Sequence, residues 1–232
     1  AIIEGWLART RLQAAHTRRA APLGEAAHMD EALRACADAD VAVLASDAAP
    51  APGWLARLAE CLARDPAIAS ATPWSNAGEA AAWPRIGEIA ALEHPPSLLA
   101  QACAQLPPVH PELPAAVCHA VLLRGRARVQ AGGLDAASYR SWYAALIDLS
   151  LRMAGLGGRN VLCETAFVVR AAEGAPREGD MDALCARWPA WHARIAHCLM
   201  DDPQRALRAR LGEELAHLAR LPPQADLFAG AS

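Results

Sequence analysis

Aromatic side chains make up only 5% of this 232-residue chain, and neither sign of charge dominates it. Twenty-two basic residues stand against twenty-five acidic ones, a net of −3 with neutral histidine. That balance gives no electrostatic draw towards nucleic acid or anionic lipid. No run approaches the roughly 18 uncharged apolar residues of a membrane span. The first residues, AIIEGWLARTR, carry a short apolar segment without a positively charged leader and do not read as a signal peptide. Seven cysteines lie far apart with no Cys-x-x-Cys pair. Together with scattered His and Asp, this argues against structural zinc, and the odd count suits free thiols in a reducing, cytoplasmic compartment. G-x-S-x-G, the Walker loop and G-x-G-x-x-G are all missing, so neither a hydrolase elbow nor those nucleotide loops are expected. GLGGR at 155–159 reads as a turn after a helix.

Alanine and leucine supply much of the 54% hydrophobic content, so helix should exceed strand. The length allows one sizeable core, in one domain or one domain with an appendage. Residues 2–17 read as an amphipathic helix with Ile3, Leu7 and Leu12 near one face, and a second helix follows over 25–37. Short apolar runs at 41–45, 68–73, 117–125 and 161–169 read as strands. Helices are expected from Trp54, over 97–106 and over 138–154. From Gly179 onward the pattern is helical, with Trp188, Trp191, Ile195, Leu199, Leu207, Leu211, Leu215 and Leu218 on an apolar face. The alternation of strand and helix predicts an α/β/α sandwich around a mostly parallel central sheet, with a helical tail.

Asp47 is the first candidate for chemistry. It follows the 41–45 strand, and in open α/β sheets ligands gather beyond the carboxyl ends of strands. A hard carboxylate there suits Mg²⁺ or Mn²⁺ bridging phosphates, while on the local sequence alone a plain cap or turn before Pro50 is the simpler explanation. TPWSNAG at 72–78 places Ser75 and Asn76 to hydrogen-bond a ligand and Trp74 to stack on one, or else forms a turn bonded to its own backbone. Asp148 stands four residues before Arg152, an ion-pair spacing on a helix; at a helix end bordering a pocket it would orient an acceptor hydroxyl. Cys118 and Cys163, in strand segments, read as buried thiols.

Several segments in order carry a resemblance: DVAVLASDAAPAPGWLARL, DPAIASATPWSNAG with WP at 83–84, ELPAAVCHAVLLRGRARVQAGGLD, WYAALIDLSLRMAGLGGRNVLCETAFVV and RWPAWHARI. Over about 24–200 they resemble the inverting family 2 glycosyltransferases of bacterial surface polysaccharide synthesis, which have a GT-A fold. The resemblance implies Asp47, just past the end of a central strand, as the residue holding the metal on a nucleotide-sugar diphosphate. It implies the 72–76 loop (Trp74, Ser75 and Asn76) on the sugar and acceptor side, Asp148 beside the acceptor, and Arg170 as a substrate-binding residue whose charge substitutes for part of the metal's.

The chain departs from that family in three places. Its helix carries Ala145-Leu146-Ile147-Asp148 where a Glu-Glu-x-Asp run supplies the base, so Leu146 stands in the base's position. Arg170 stands where a histidine metal ligand follows FV, and arginine has no lone pair for a cation. About twenty residues precede Gly24 where the family has its first strand and uridine-binding acid; either residues are missing from the chain or the nucleotide pocket is incomplete. The expectation is therefore a glycosyltransferase-like domain over 1–178 and a helical extension over 179–232. It would move a sugar with inversion from a nucleotide sugar to a saccharide acceptor, with Mg²⁺ or Mn²⁺ bound weakly alongside the diphosphate. The alternative is an inactive domain of the same shape that binds or scaffolds. Self-association or partner docking would run through the C-terminal helices, in the cytoplasm or against the inner face of the membrane.

Overall fold

The computed structural model describes residues 2–11, 13–14 and 16–221. Helix α1 (Ile2–Leu7) is much shorter than the 2–17 helix the apolar spacing predicts. Its Ile3 and Trp6 are about half exposed, so it lacks the packing from which a short helix draws its stability. Leu12, assigned to the same face, lies outside the described residues. Helix α2 (Glu25–Ala35) buries Ala26, Asp30 and Leu33, positions spaced four and three apart on one face.

Strand β1 (Val41–Leu44) leads through Asp47 to a two-residue strand, β2 (Ala49–Pro50). Gly53, at φ 79°, makes the left-handed entry to α3 (Trp54–Arg64), which buries Leu58, Cys61 and Leu62. Strand β3 (Ile68–Trp74) is buried along its whole length. A single 3-10 turn (Glu79–Ala81) and α4 (Pro96–Ala104) precede β4 (Ala120–Leu123) and α5 (Gly125–Gln130). Helix α6 (Trp142–Gly155) starts where the Ser141 hydroxyl accepts the Ala144 N–H, an N-cap. Strand β5 (Arg159–Val169) follows. The tail forms three helices rather than two, α7 (Asp180–Arg187), α8 (Trp191–Asp201) and α9 (Arg205–Arg220). Pro189 parts the first pair, and Asp202 and Pro203 part the second.

Among the described residues the sheet has five strands in the order β1-β4-β3-β5-β2. Only β3 and β5 pair in parallel; β1 with β4, β4 with β3 and β5 with β2 are antiparallel. The mostly parallel sandwich sheet predicted from the sequence is thus wrong, and the sheet is mixed and mostly antiparallel. Strands β1, β3 and β5 do run in one direction, but β4 inserts in reverse between β1 and β3 and converts both of its pairings. Nor is β1 central: it lies at the sheet edge, with Ala42 and Leu44 exposed.

Alternation along β4 divides the core. Val121 and Leu123 join the cluster under α2 and α6, whereas Leu122 joins Leu58, Cys61 and Leu62 of α3. A third cluster holds Trp74 and Phe167 against α4, α8 and α9, so the C-terminal helices pack on the sheet. The cysteines are all free. Among the described residues no helix is long and apolar enough to cross a membrane.

Candidate functional site

The segments following β1, β3 and β5 meet beyond one end of the sheet, and they bring Asp47, Asn76 and Arg170 together. Arg170 Nη2 lies 2.9 Å from Asp47 Oδ1, and its Nε donates to Oδ1 at 3.0 Å and Oδ2 at 3.2 Å. The Ala172 N–H donates to Oδ2 at 3.3 Å. Asn76 fixes Arg170 from behind: its Oδ1 accepts the Arg170 N–H at 2.8 Å and its Nδ2 donates to the Arg170 carbonyl at 2.9 Å. Burial works to raise the Asp47 carboxyl, but the hydrogen bond and charge of Arg170, with backbone N–H groups including that of Ala172, together hold the pKa below its ordinary value. Arg170 is 9% exposed and Asp47 32%, so the pair opens to solvent on the carboxylate side.

His119 lies beneath this pair, fully buried, with its Nε2–H donating to the Pro73 carbonyl at 3.0 Å. Burial pushes its pKa down to about 3, so it is neutral at physiological pH. Its Nδ1 has no hydrogen-bond partner.

The loops after β3 and β5 also carry carboxylates that the sequence reading did not single out, Glu79 and Glu173. Glu79 opens the 3-10 turn with φ 48°, a conformation rare outside glycine. Its N–H points to Glu173 Oε1 at 3.4 Å, and Tyr143 lines the same recess. Burial, then the neighbouring Glu173, pushes the Glu79 pKa up to about 7, while Tyr143 and Arg170 hold it back. Burial and Glu79 together raise the Cys118 thiol to about 11, so it stays protonated and is no nucleophile at neutral pH. Gly174, beside Glu173, lies so close to Cys118 that a Cβ there would stand 2.1 Å from Sγ. Only glycine lets the loop after β5 cross at this point. Glu79, Cys118, Tyr143, Ile147, Trp191 and Ile195 line a narrow recess with room for about one water.

Three residues expected at a ligand face the interior instead. Trp74 is fully buried with the Arg208 guanidinium 5.2 Å from its ring centroid, so it has no open face for a ligand. Arg208 is held there by the Ala80 and Ala82 carbonyls at 2.7 and 2.6 Å and by Asp202. Ser75 is buried and its hydroxyl accepts the Ala77 N–H at 3.2 Å, the self-bonded turn. Asp148 has no exposed surface: it accepts Arg152 Nε at 2.8 Å, Trp188 Nε1 at 2.9 Å and Tyr139 OH at 3.3 Å, with Arg187 Nη1 3.3 Å away. A carboxylate with those partners ties α6 to the C-terminal end of α7. Leu146 is also fully buried.

Both Asp47 oxygens are engaged, and among the described residues no group of three or more His, Cys, Asp or Glu is placed to hold a metal ion. Glu79 had one faint signal in the sequence, as the lone carboxylate closing the polar stretch after β3.

No protein-family model matches the sequence, and no curated protein matches it. A solved structure does share its fold: the crystal structure of GalNAc-T7 with UDP, GalNAc and Mn²⁺, a GT-A-fold glycosyltransferase. The TM-score is 0.51 at 12% identity, over 84% of this chain and 42% of that one. The chain thus spans about two fifths of the chain it matches, and the likeness is one of fold.

Proposed function

We propose that this chain is a glycosyltransferase-like domain whose Asp47–Arg170 pair receives the diphosphate of a nucleotide sugar, and that it transfers the sugar with inversion to a saccharide acceptor. The observation that carries the reading is the guanidinium of Arg170, fixed by Asn76 and laid on Asp47 at the rim of the sheet. A planar guanidinium matches phosphate oxygens better than an ammonium does. An incoming diphosphate would compete with Asp47 for it. As negative charge builds on the departing phosphate, a preorganised cation stabilises it without reorganisation. The step is a single displacement at the anomeric carbon.

A second reading has its own support. Asp148 is locked in the core and Leu146 occupies the expected place of the base, which favours a domain that binds a nucleotide sugar without consuming it. Calorimetry with UDP, GDP and dTDP, followed by assays of sugar release from the corresponding nucleotide sugars with a saccharide panel, separates the two. Binding of one nucleoside diphosphate that weakens at least tenfold in Arg170→Ala supports the site. Binding that is absent, or indifferent to Arg170, removes it. Binding without sugar release selects the second reading.

A further inference from the structure

Helix α5 carries an arginine that is buried without a carboxylate. Arg128 is 3% exposed, and among the described residues it forms no ion pair. Its Nη2 donates to the Ala37 carbonyl, just past the end of α2. Its Nε–H is closed off from solvent and has no acceptor. Nη1 has no acceptor among the described residues either, but it is not closed off, so it is the open edge of the group. A guanidinium carries five N–H donors, and a buried charge with so few of them matched is costly to keep.

Arg128 lines a groove of about 510 Å³, together with Arg34, Ala37, Asp38 and Val129. Gly132 and Gly133, at φ 86° and 72°, complete the wall without adding side chains to it. Small-molecule sites run from roughly 300 to 1,000 Å³. The groove lies at the opposite end of the sheet from Asp47. Ala37 and Asp38 precede β1, and α5 follows β4 where Leu123 pairs with Val41, whereas Asp47 follows Leu44 at the other end of that pairing. We infer that this groove binds a small organic anion, with an oxyanion head on the Arg128 guanidinium and an apolar body against Val129 and Ala37. Carboxylate and phosphate heads share the chemistry, since each offers a pair of oxygens to a planar guanidinium.

The other charges at the groove differ in strength. Arg34 lies 2.8 Å from Asp30 one turn back on α2, but its side chain is 74% exposed. A surface pair of that kind is weak, so Arg34 can turn to a ligand at the rim. Asp38 opposes an anion, yet it is exposed and its charge is screened by water and salt. Arg128 acts from a buried position, where a charge is felt more strongly at short range. The end of α2 also turns carbonyls this way, and the one at Ala37 is already engaged by Arg128.

Calorimetry on the full chain with benzoate, phenyl phosphate, inorganic phosphate and the neutral benzamide tests the site. Benzoate or phenyl phosphate should bind at least about tenfold more tightly than benzamide, and the better of the two identifies the head group. Inorganic phosphate should bind more weakly than phenyl phosphate; equal affinity overturns the role given to the apolar wall. Arg128→Gln should weaken the anion at least tenfold. Because that change also removes a contact to α2, Val129→Glu provides a second variant: Val129 is half exposed, so the fold tolerates the change, and the new carboxylate should abolish binding. Arg34→Glu should weaken the anion and Asp38→Asn strengthen it. Arg170→Ala, at the other end of the sheet, should leave it unchanged. No binding of either aromatic anion at millimolar concentration overturns the assignment. So does binding that survives Val129→Glu, or that is lost in Arg170→Ala.

Discussion

Arg170 closes over Asp47 with Nε in reach of both carboxylate oxygens and Nη2 2.9 Å from Oδ1. The carboxylate expected to bind a cation is therefore already neutralised by a fixed cation, and its depressed pKa reflects that pairing. Arg170→His would remove this charge and restore a side chain with a lone pair. Calorimetry with Mn²⁺ should then show binding gained in Arg170→His and lost again in Arg170→His with Asp47→Asn. The wild type should bind Mn²⁺ weakly without nucleotide. Tight binding by the wild type alone would show that the pair opens readily and that arginine does not stand in the ion's place.

Asp148 gives a prediction of the opposite kind. With Arg152, Trp188 and Tyr139 all bonded to a fully buried carboxylate, Asp148→Ala takes the carboxylate from Arg152, which keeps the Ala131 and Gly133 carbonyls, and leaves the Trp188 indole N–H without this acceptor. Removing one partner of a buried pair costs about 3 to 5 kcal/mol. Denaturant unfolding should register a loss of that order, while UDP affinity stays unchanged for the protein that remains folded. A fall in nucleotide affinity with intact stability would return Asp148 to the site.

Trp74 is predicted to behave as core. Its ring lies under Arg208 and within the cluster of Leu99, Phe167 and Leu211, so Trp74→Ala should cost about 3 to 5 kcal/mol in unfolding free energy. Quenching of tryptophan fluorescence by a bound saccharide, present in the wild type and absent in Trp74→Phe, would contradict its placement.

Much of the element order was legible because it is written locally. The apolar runs at 41–45 and 68–73 became β1 and β3, and the spacing of Leu58 and Leu62 marked α3. Strand direction is not local: an apolar run such as AVLL at 120–123 carries the same residues whichever way it pairs, so the reversal of β4 was invisible. The N-terminal apolar spacing overstated α1, since a pattern makes a helix durable only where something covers it. At the site, Asp47 and Asn76 stood out as polar residues after strands and Arg170 only through the family resemblance, and the fold brings the three together. Glu79 did not stand out, because its partners Tyr143 and Glu173 come from distant segments and only tertiary burial gives its carboxyl an unusual character.

That character makes the last prediction one of stability. The Glu79 carboxyl titrates at about 7 in the folded chain against an ordinary value of 4.5, chiefly because burial disfavours its charge and next because Glu173 repels it. Between those two pH values the folded state holds a proton that the unfolded chain has released. The stabilisation from this group is therefore complete below pH 4.5 and is lost as the pH rises through 7. Glutamine stays neutral throughout, so Glu79→Gln escapes that loss. The melting temperature of Glu79→Gln, taken relative to wild type, should rise between pH 5 and pH 8 and level off above it. His119 works in the other direction: burial lowers it to about 3 from 6.5, so its contribution is complete above 6.5 and fades as the pH falls. It is present in both proteins and cancels in the difference. In Glu173→Gln the repulsion is gone, so the pH at which wild-type-like stability is lost should move down towards 4.5. Thermal melts of the three proteins across that pH range check the ordering, and a difference between wild type and Glu79→Gln that does not vary with pH would show that Glu79 ionises in the folded chain as freely as in the unfolded one.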